Sequence, residues 1–354
     1  MVTTGILVLF TAGATARAQS ISMSYVTVEN PNNAPDPATG NMYGSVSYTY
    51  DIGEYDVTQS QYVTFLNAVD PTGANPLGLY DSIAKDMEYG IVFNPNGENG
   101  SMYSVRNGYS NMPIVDETYW DAIRFVNWMN NGEGNASTET GAYTLLGYLP
   151  LPLNWATVTR NPGATVWLPS EDEWYKAAYY NPTIESYSTY ATQSNTVPGN
   201  IVGNGLNEAN FEYYNGSVYL YSVTQSSIDS PGQIYLTSVG SFSNSASSYG
   251  TYDQSGDAFN WTDTLYDSGG DGSRVARGGS CFNASVLMAS SYRGSESTLN
   301  EDPLHGFRVA SVPEPSSIIL VMVGAVGLLC LRSRSLEIEP SECEMHSTGR
   351  VRDK

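Results

Sequence analysis

The stretch WLPSEDEWYKAA, residues 167–178, contains the clearest helix signal in this chain. Ser170 is followed three residues later by Glu173, the spacing of a capping box, in which each side chain bonds the backbone N–H of the other residue. Trp174 and Ala178 then lie one helical turn apart on the same face. We therefore predict a helix that begins after Ser170 and buries an aromatic face.

Two earlier segments are also predicted to be helical. Thr58 and Gln61 form a second capping box, and Val57 and Tyr62 flank it as a hydrophobic staple. A further segment has its apolar residues at helical spacing. The three predicted helices cover residues 59–69, 119–130 and 170–180.

Outside these helices the sequence predicts short strands and long turns. Alternation of apolar and polar residues predicts strands at residues 46–52, 217–223 and 233–239. The segment 181–256 is rich in Ser, Asn, Gly and Tyr and has little periodicity. Because there is no Pro/Ser-rich linker and no internal repeat, we predict a single loop-rich domain over residues 46–311, after an N-terminal lead over residues 19–45.

The charge of the chain argues against one class of partner. The 354 residues include 15 basic and 36 acidic ones, which gives a net charge of −21. Nucleic-acid binding needs clustered Lys and Arg, and no run of three basic residues occurs. We expect no nucleic-acid partner. The acidic side chains are either solvated surface groups or ligands for a hard cation such as Ca²⁺.

The cysteines and histidines limit the metal and redox chemistry. Of Cys281, Cys330 and Cys343, only Cys281 lies in the predicted domain, so no disulfide can form within it. The chain has two histidines, His305 and His346, which together with one thiol cannot build a tetrahedral Cys/His zinc site.

The N-terminal end has the features of an export signal. Residues 1–18 contain an apolar stretch followed by Ala16-Arg17-Ala18, a small-x-small cleavage pattern, although a basic start is missing. We predict a signal peptide that is cleaved after Ala18.

The C-terminal end has three features in a fixed order. Val312-Pro313-Glu314-Pro315 precedes an uncharged apolar run, residues 318–331, and two arginines follow. This order resembles the PEP-CTERM sorting signal of biofilm-forming Gram-negative bacteria, over residues 312–334, with residues 335–354 as a polar tail. The resemblance implies a protein anchored in the membrane by its C-terminal helix, then cut by an exosortase and released to the cell surface or matrix.

Five blocks of the domain resemble the formylglycine-generating, sulfatase-modifying factor family, in the order of that family. The blocks are Ile52–Thr58 with Tyr62 and Phe65, Met112–Val115 with Trp120 and Trp128, Trp167–Ala178, Tyr249–Trp261, and Arg274–Ser280 with Gly306–Ala310. The resemblance implies a variant C-type-lectin-like α+β fold with few helices and short strands.

The resemblance also shows where catalytic groups would lie. Enzymes of the family hold copper with two cysteines that follow a Gly-Gly-Ser motif, because soft thiolates select Cu(I). Those positions fall on Asn283 and near Met288 in this chain, and neither is a cysteine. Copper is therefore not expected. The remaining candidates for chemistry are Ser280, Cys281 and His305.

Calcium ligands are a further implication of the resemblance. A Gly-Asn-x-Trp-Glu ligand block of the family corresponds to residues 256–260 here, and an earlier ligand block corresponds to residues 209–212. Oxygen ligands suit this hard cation, although the Glu of the block is replaced. The predicted calcium ligands are Asn210, Gly256, Asp257 and Asn260.

Two functions of different classes remain open. The first is an exported surface or matrix binding module with a protein or polysaccharide ligand, because the copper cysteines are missing and Tyr-, Ser-, Gly- and Asn-rich loops suit adaptable recognition. The alternative is an oxidoreductase of the formylglycine-generating type that modifies an exported protein substrate.

Export and processing can be tested together. Intact-mass analysis of the secreted protein should show loss of residues 1–18 and of the segment from about Val312, because both ends resemble removable signals. Recovery of the full-length chain from the cytoplasm would contradict the prediction.

Overall fold

All three predicted helices are present in the computed structural model, which describes residues 20–80, 90–267 and 272–313. They are α1 (Gln59–Val69), α2 (Tyr119–Asn130) and α3 (Glu171–Tyr179). Each begins with a complete capping box. At the start of α3, the Ser170 hydroxyl accepts a hydrogen bond from the Glu173 N–H at 3.2 Å, and the Glu173 carboxylate accepts one from the Ser170 N–H at 2.6 Å. Local side-chain chemistry thus defines where all three helices start.

The chain up to Val312 forms one compact unit within the described ranges. The predicted signal peptide, the apolar run of residues 318–331 and the polar tail lie outside the described residues. Across the described ranges, no helix is both long and apolar enough to cross a bilayer.

Short strands connect the helices and loops. In chain order they are β1 (Tyr25–Val28), β2 (Tyr50–Gly53), β3 (Ile91–Phe93), β4 (Tyr103–Val105), β5 (Val166–Trp167), β6 (Tyr180–Asn181), β7 (Ser186–Tyr187), β8 (Tyr213–Tyr214), β9 (Tyr219–Leu220), β10 (Phe259–Leu265), β11 (Arg274–Arg277), β12 (Gly294–Glu296), β13 (His305–Gly306) and β14 (Ala310–Ser311). Three two-stranded hairpins pair β3 with β4, β6 with β7, and β8 with β9.

Two four-stranded sheets join distant parts of the sequence. The first has the order β1-β2-β14-β5, and Ala310 of β14 lies opposite both Ile52 and Trp167. The second has the order β12-β11-β10-β13, in which β10 and β13 run parallel. Because β1 pairs with β2 along its whole length, the predicted N-terminal lead takes part in the fold.

The strand predictions agree with the structure only in part. Of residues 46–52, the strand begins at Tyr50, and of residues 217–223 only Tyr219–Leu220 is extended and paired. Residues 233–239 form no strand, so that prediction is wrong. Their amides bond to separate loops instead: Thr237 N–H donates to the Asp257 carboxylate at 3.0 Å, and Val239 N–H donates to the Asn111 carbonyl at 2.8 Å.

Aromatic side chains form the centre of the core between α1 and α2. The Phe65 ring lies 5.4 Å from Phe125 and 5.3 Å from Trp128 between ring centroids, both edge to face. Phe307, which precedes β14, packs edge to face on Phe125 at 5.3 Å. Such pairs add about 0.5–1.5 kcal/mol each beyond the area they bury.

A buried polar network, here called the Asn260 network, connects four of the sequence blocks. It consists of Asp56, Trp174, Asn260 and Arg308, all with 1% or less exposure. Asn260 Oδ1 accepts from Trp174 Nε1 and from Arg308 Nε, each at 2.8 Å, and Asn260 Nδ2 donates to Asp56 Oδ1 at 2.8 Å. The Arg308 guanidinium also lies 3.0 Å from Asp56 Oδ1. Four segments far apart in sequence are thereby held at one point.

Removing one member of this network should be costly. We expect Arg308→Met to lower the free energy of unfolding by about 3–5 kcal/mol, because it leaves the Asp56 carboxyl buried without its cation. Adding Asp56→Leu should restore part of that loss, since no unpaired charge then remains. Urea unfolding of the two variants measures both effects; a double variant less stable than the single one would contradict this explanation.

Candidate functional site

A tight turn directly after β11 contains Gly278 and Gly279 and positions the next two residues, Ser280 and Cys281. Gly278 and Gly279 have φ values of 105° and 74°, and a Cβ on Gly279 would lie 2.8 Å from Met288 Cγ. Only glycine fits such a turn without strain. The turn brings Ser280 and Cys281 into the interior, where Cys281 N–H donates to the Asp257 carbonyl at 3.0 Å.

The two positions of the copper cysteines have structural roles here. Asn283 Oδ1 accepts hydrogen bonds from Ser280 N–H at 2.9 Å and from Ser280 Oγ at 2.7 Å, so it closes the turn. The Met288 side chain is fully buried and packs in a cluster with Tyr190 and Phe211. Neither side chain offers a thiolate, and this donor set does not fit a two-cysteine copper site.

Cys281 is a buried thiol that lines a cavity. It is 1% exposed, and burial raises its pKa well above the usual value, with the nearby Asp257 adding to the effect. The thiol is therefore protonated near neutral pH and is a weak nucleophile. We therefore do not expect this thiol to react, but Cys281 is one of the residues that line a cavity.

That cavity has a volume of about 330 Å³. It is lined by the loop Asp229–Leu236 together with Tyr109, Cys281, Phe282 and Pro303. The rings of Tyr235 and Phe282 line it with their centroids 5.0 Å apart, and Tyr221, which is not a lining residue, packs on Tyr235 at 4.5 Å. The Tyr235 hydroxyl accepts from Ser230 N–H at 2.9 Å and donates to the Ile228 carbonyl at 3.3 Å, which fixes the loop over the cavity.

His305 has a different environment from that of Cys281. Its ring is buried and stacked on Phe259 at 5.1 Å, with Trp261 at 5.2 Å. Its two nitrogens lie 3.8 Å from Glu296 and 3.7 Å from Asp302. His305 and Ser280 are not among the residues that line the cavity. Of the three candidates for chemistry, only Cys281 reaches it.

The predicted calcium ligands divide into two groups. Asn210, Gly256 and Asp257 meet, because Asn210 pairs with Gly256 and its Nδ2 donates to Asp257 Oδ1 at 2.7 Å. Asn260 belongs to the Asn260 network, and its oxygen already accepts two N–H groups. The four residues therefore do not converge on one point.

The oxygens of the first group are also largely occupied. Asp257 accepts from Asn210 and from both the N–H and the hydroxyl of Thr237. Asn210 Oδ1 is buried with no hydrogen-bond partner among the described residues, but Ca²⁺ needs six to eight oxygens. Across residues 20–80, 90–267 and 272–313, no group of three or more His, Cys, Asp or Glu is arranged to hold a metal. Calcium binding stays a prediction, and this arrangement does not fit it.

Residues 27–312 match the family described as the sulfatase-modifying factor enzyme 1-like domain. The chain belongs to this family. The loop-rich α+β fold predicted from the resemblance is confirmed. Residues 311–335 match the PEP-CTERM protein-sorting motif, which indicates an exported, surface-sorted protein that an exosortase processes.

Solved structures share the fold of this sulfatase-modifying factor domain. Treponema denticola variable protein 1 has a TM-score of 0.52 and 18% sequence identity, with 84% of this chain and 98% of that chain covered. The crystal structure of CarF has a TM-score of 0.54 and 17% identity, with 83% of this chain and 99% of that chain covered. At these identities the likeness concerns the fold alone. The curated proteins searched contain no match.

Sequence reasoning missed most of the cavity of this sulfatase-modifying factor domain. It identified Cys281 but not the loop Asp229–Leu236, which it interpreted partly as a strand. The available signal was the Ser-Pro-Gly turn that precedes Tyr235, which favours a loop with an anchored aromatic ring.

Several carboxyl groups of the domain have a raised pKa because they are removed from solvent. Burial raises the pKa of Asp253 to about 7, and burial and the neighbouring Asp253 raise that of Asp257 well above its usual value. Burial also raises the pKa of Asp121 in α2 to about 7. The folded state therefore binds protons more tightly than the unfolded chain, whose aspartates titrate near 4.

The stability of the domain should consequently fall as pH rises. Stability from a raised carboxyl pKa is present below the unfolded value and is lost as pH increases through about 7. We expect a higher free energy of unfolding at pH 5 than at pH 8, by a few kcal/mol, and a flatter pH dependence in Asp253→Asn. Urea unfolding across that range measures both, and equal stability at the two pH values would refute the expectation.

Proposed function

We propose that this protein is an exported binding module whose ligand site is the cavity beside Cys281. The observation that carries the proposal is the cavity itself, whose wall includes Cys281 and Phe282, the two residues that directly precede Asn283. A volume of about 330 Å³ falls within the range of ligand pockets. In this chain the positions of the family's copper cysteines serve folding, as the contacts of Asn283 and Met288 indicate.

The chemistry of the wall supports recognition rather than group transfer. Tyr109, Tyr235 and Phe282 present large rings with few rotatable bonds, so contact with a ligand costs little side-chain entropy. The loop Asp229–Gln233 supplies polar groups at the rim, all of them exposed. A segment of a matrix protein or polysaccharide that combines an apolar face with polar edges would complement both the aromatic wall and the polar rim of the cavity.

The oxidoreductase alternative has one observation in its favour, the position of Cys281 on the cavity wall. Against it, the raised pKa of this thiol keeps it protonated, and the two partner positions hold Asn283 and Met288. We therefore derive no oxidative step from this site.

Filling the cavity should abolish binding while the fold stays intact. Ser230 lines the cavity and is exposed, so Ser230→Trp would place an indole in it without disturbing the core. Ser227→Trp, on the same loop but outside the lining, is the matched control. Retention of the polysaccharide and protein fractions of the secreted matrix is measured separately on each immobilised protein. We expect a loss of at least about tenfold for Ser230→Trp alone; equal retention by the two variants would exclude the cavity.

A second measurement separates binding from oxidation. The purified protein should hold no stoichiometric Cu(I) and should consume no oxygen with a cysteine-containing peptide, because the donor pair is missing. Oxygen consumption that disappears in Cys281→Ser would establish the oxidoreductase alternative instead.

A further inference from the structure

An exposed apolar loop, residues 146–153, lies between α2 and β5. The exposed fractions of Leu146, Tyr148, Leu149 and Leu153 are 52%, 73%, 47% and 71%. Between Glu139 and Arg160 the sequence contains no charged residue, although the whole chain has a net charge of −21. Clustered apolar exposure of this kind marks a site of contact with another apolar surface.

The apolar loop is held in shape by a buried charge. Arg124 is fully buried and paired with Glu139 at 2.8 Å. Its guanidinium donates to the carbonyls of Leu149 at 2.5 Å and Pro150 at 3.0 Å. Leu153 N–H donates to the Leu146 carbonyl at 2.8 Å and closes the neck of the loop. Because these hydrogen bonds hold the backbone of the loop against the domain, its four apolar side chains stay exposed in the folded state.

The base of this uncharged stretch lies close to the point where the chain leaves the domain. Val312 N–H donates to the Thr165 carbonyl at 3.0 Å, and Thr165 N–H donates to Asn130 Oδ1 at 2.8 Å. The next residue, Asn131, donates from Nδ2 to the Thr140 carbonyl at 2.5 Å. The exit of the chain and the start of the uncharged stretch thus bond to adjacent residues at the end of α2.

We propose that the apolar loop inserts into the surface of the lipid bilayer that holds the C-terminal sorting segment, before that segment is removed. The apolar run of the sorting motif starts at Ile318, only a few residues beyond Val312. Five extended residues reach about 17 Å. A bilayer that receives this run therefore lies within about 17 Å of Val312.

The side chains of the loop suit such a surface. Leucines gain free energy in the acyl region, and tyrosine is favoured at the level of the headgroups. Because the stretch has no charged residue, insertion removes no charge from water. The excess of acidic residues makes attraction by anionic lipid unimportant, so the contact should persist at high salt.

The test uses the full chain reconstituted into phosphatidylcholine vesicles with or without brominated acyl chains, which quench tryptophan at membrane depth. Tyr148→Trp adds a fluorophore to the loop, and Tyr214→Trp adds one at an exposed tyrosine of β8 as a matched control. The emission of each variant minus that of the parent isolates the added tryptophan. We expect Trp at position 148 to lose more than about half of its emission and Trp at position 214 to keep it. Equal quenching at both positions, or none at 148, would overturn the proposal.

A second variant controls for the anchor and for self-association. Leu146→Ser, Leu149→Ser and Leu153→Ser are combined with Tyr148→Trp; all three leucines are exposed, so the melting temperature should not change. We expect this variant to sediment with vesicles through its C-terminal segment but to lose the quenching. Cross-linked dimers that the serine variant abolishes, with position 148 unquenched, would assign the loop to a second copy of the chain and refute insertion.

Discussion

A single amide oxygen, Oδ1 of Asn260, is shared by the indole of Trp174 and the guanidinium of Arg308. Around it, Arg308 donates further to the Gly53 and Tyr252 carbonyls, so the ends of the domain and its middle meet at one buried point. An unpaired polar group in this place would cost its full desolvation energy. The loops of this protein have little regular structure of their own, and their arrangement depends on such satisfied polar contacts more than on strand pairing.

The helices could be predicted because their signals are local. The capping boxes at Thr58 and Ser170 contain all the information needed to start α1 and α3, and the structure reproduces both. Strands two to four residues long have no comparable signal. Ala310, for example, becomes a strand residue because Ile52 and Trp167 lie on either side of it, and those neighbours come from distant parts of the chain.

The difference between local signals and contacts between distant residues also applies to the candidate site. The Gly-Gly-Ser motif and the absence of a cysteine pair after it could be identified in the sequence. The cavity was not, because Tyr109, Tyr235 and Pro303 come together only in the folded domain. Asn260 differs again: as an oxygen-bearing residue in a ligand block it was predicted to bind a cation, and in the folded domain its side-chain oxygen accepts from two internal donors.

The pairing of β2 with β14 has a consequence for how the protein is made. The central strand β14 is supplied by Ala310 and Ser311, at the end of the domain, and Arg308 of the Asn260 network lies just before it. Because closing such long loops precedes the contacts that stabilise them, folding is slow and awaits the last segment of the domain. A chain emerging N-terminus first cannot complete its core until nearly all of the domain has been synthesised.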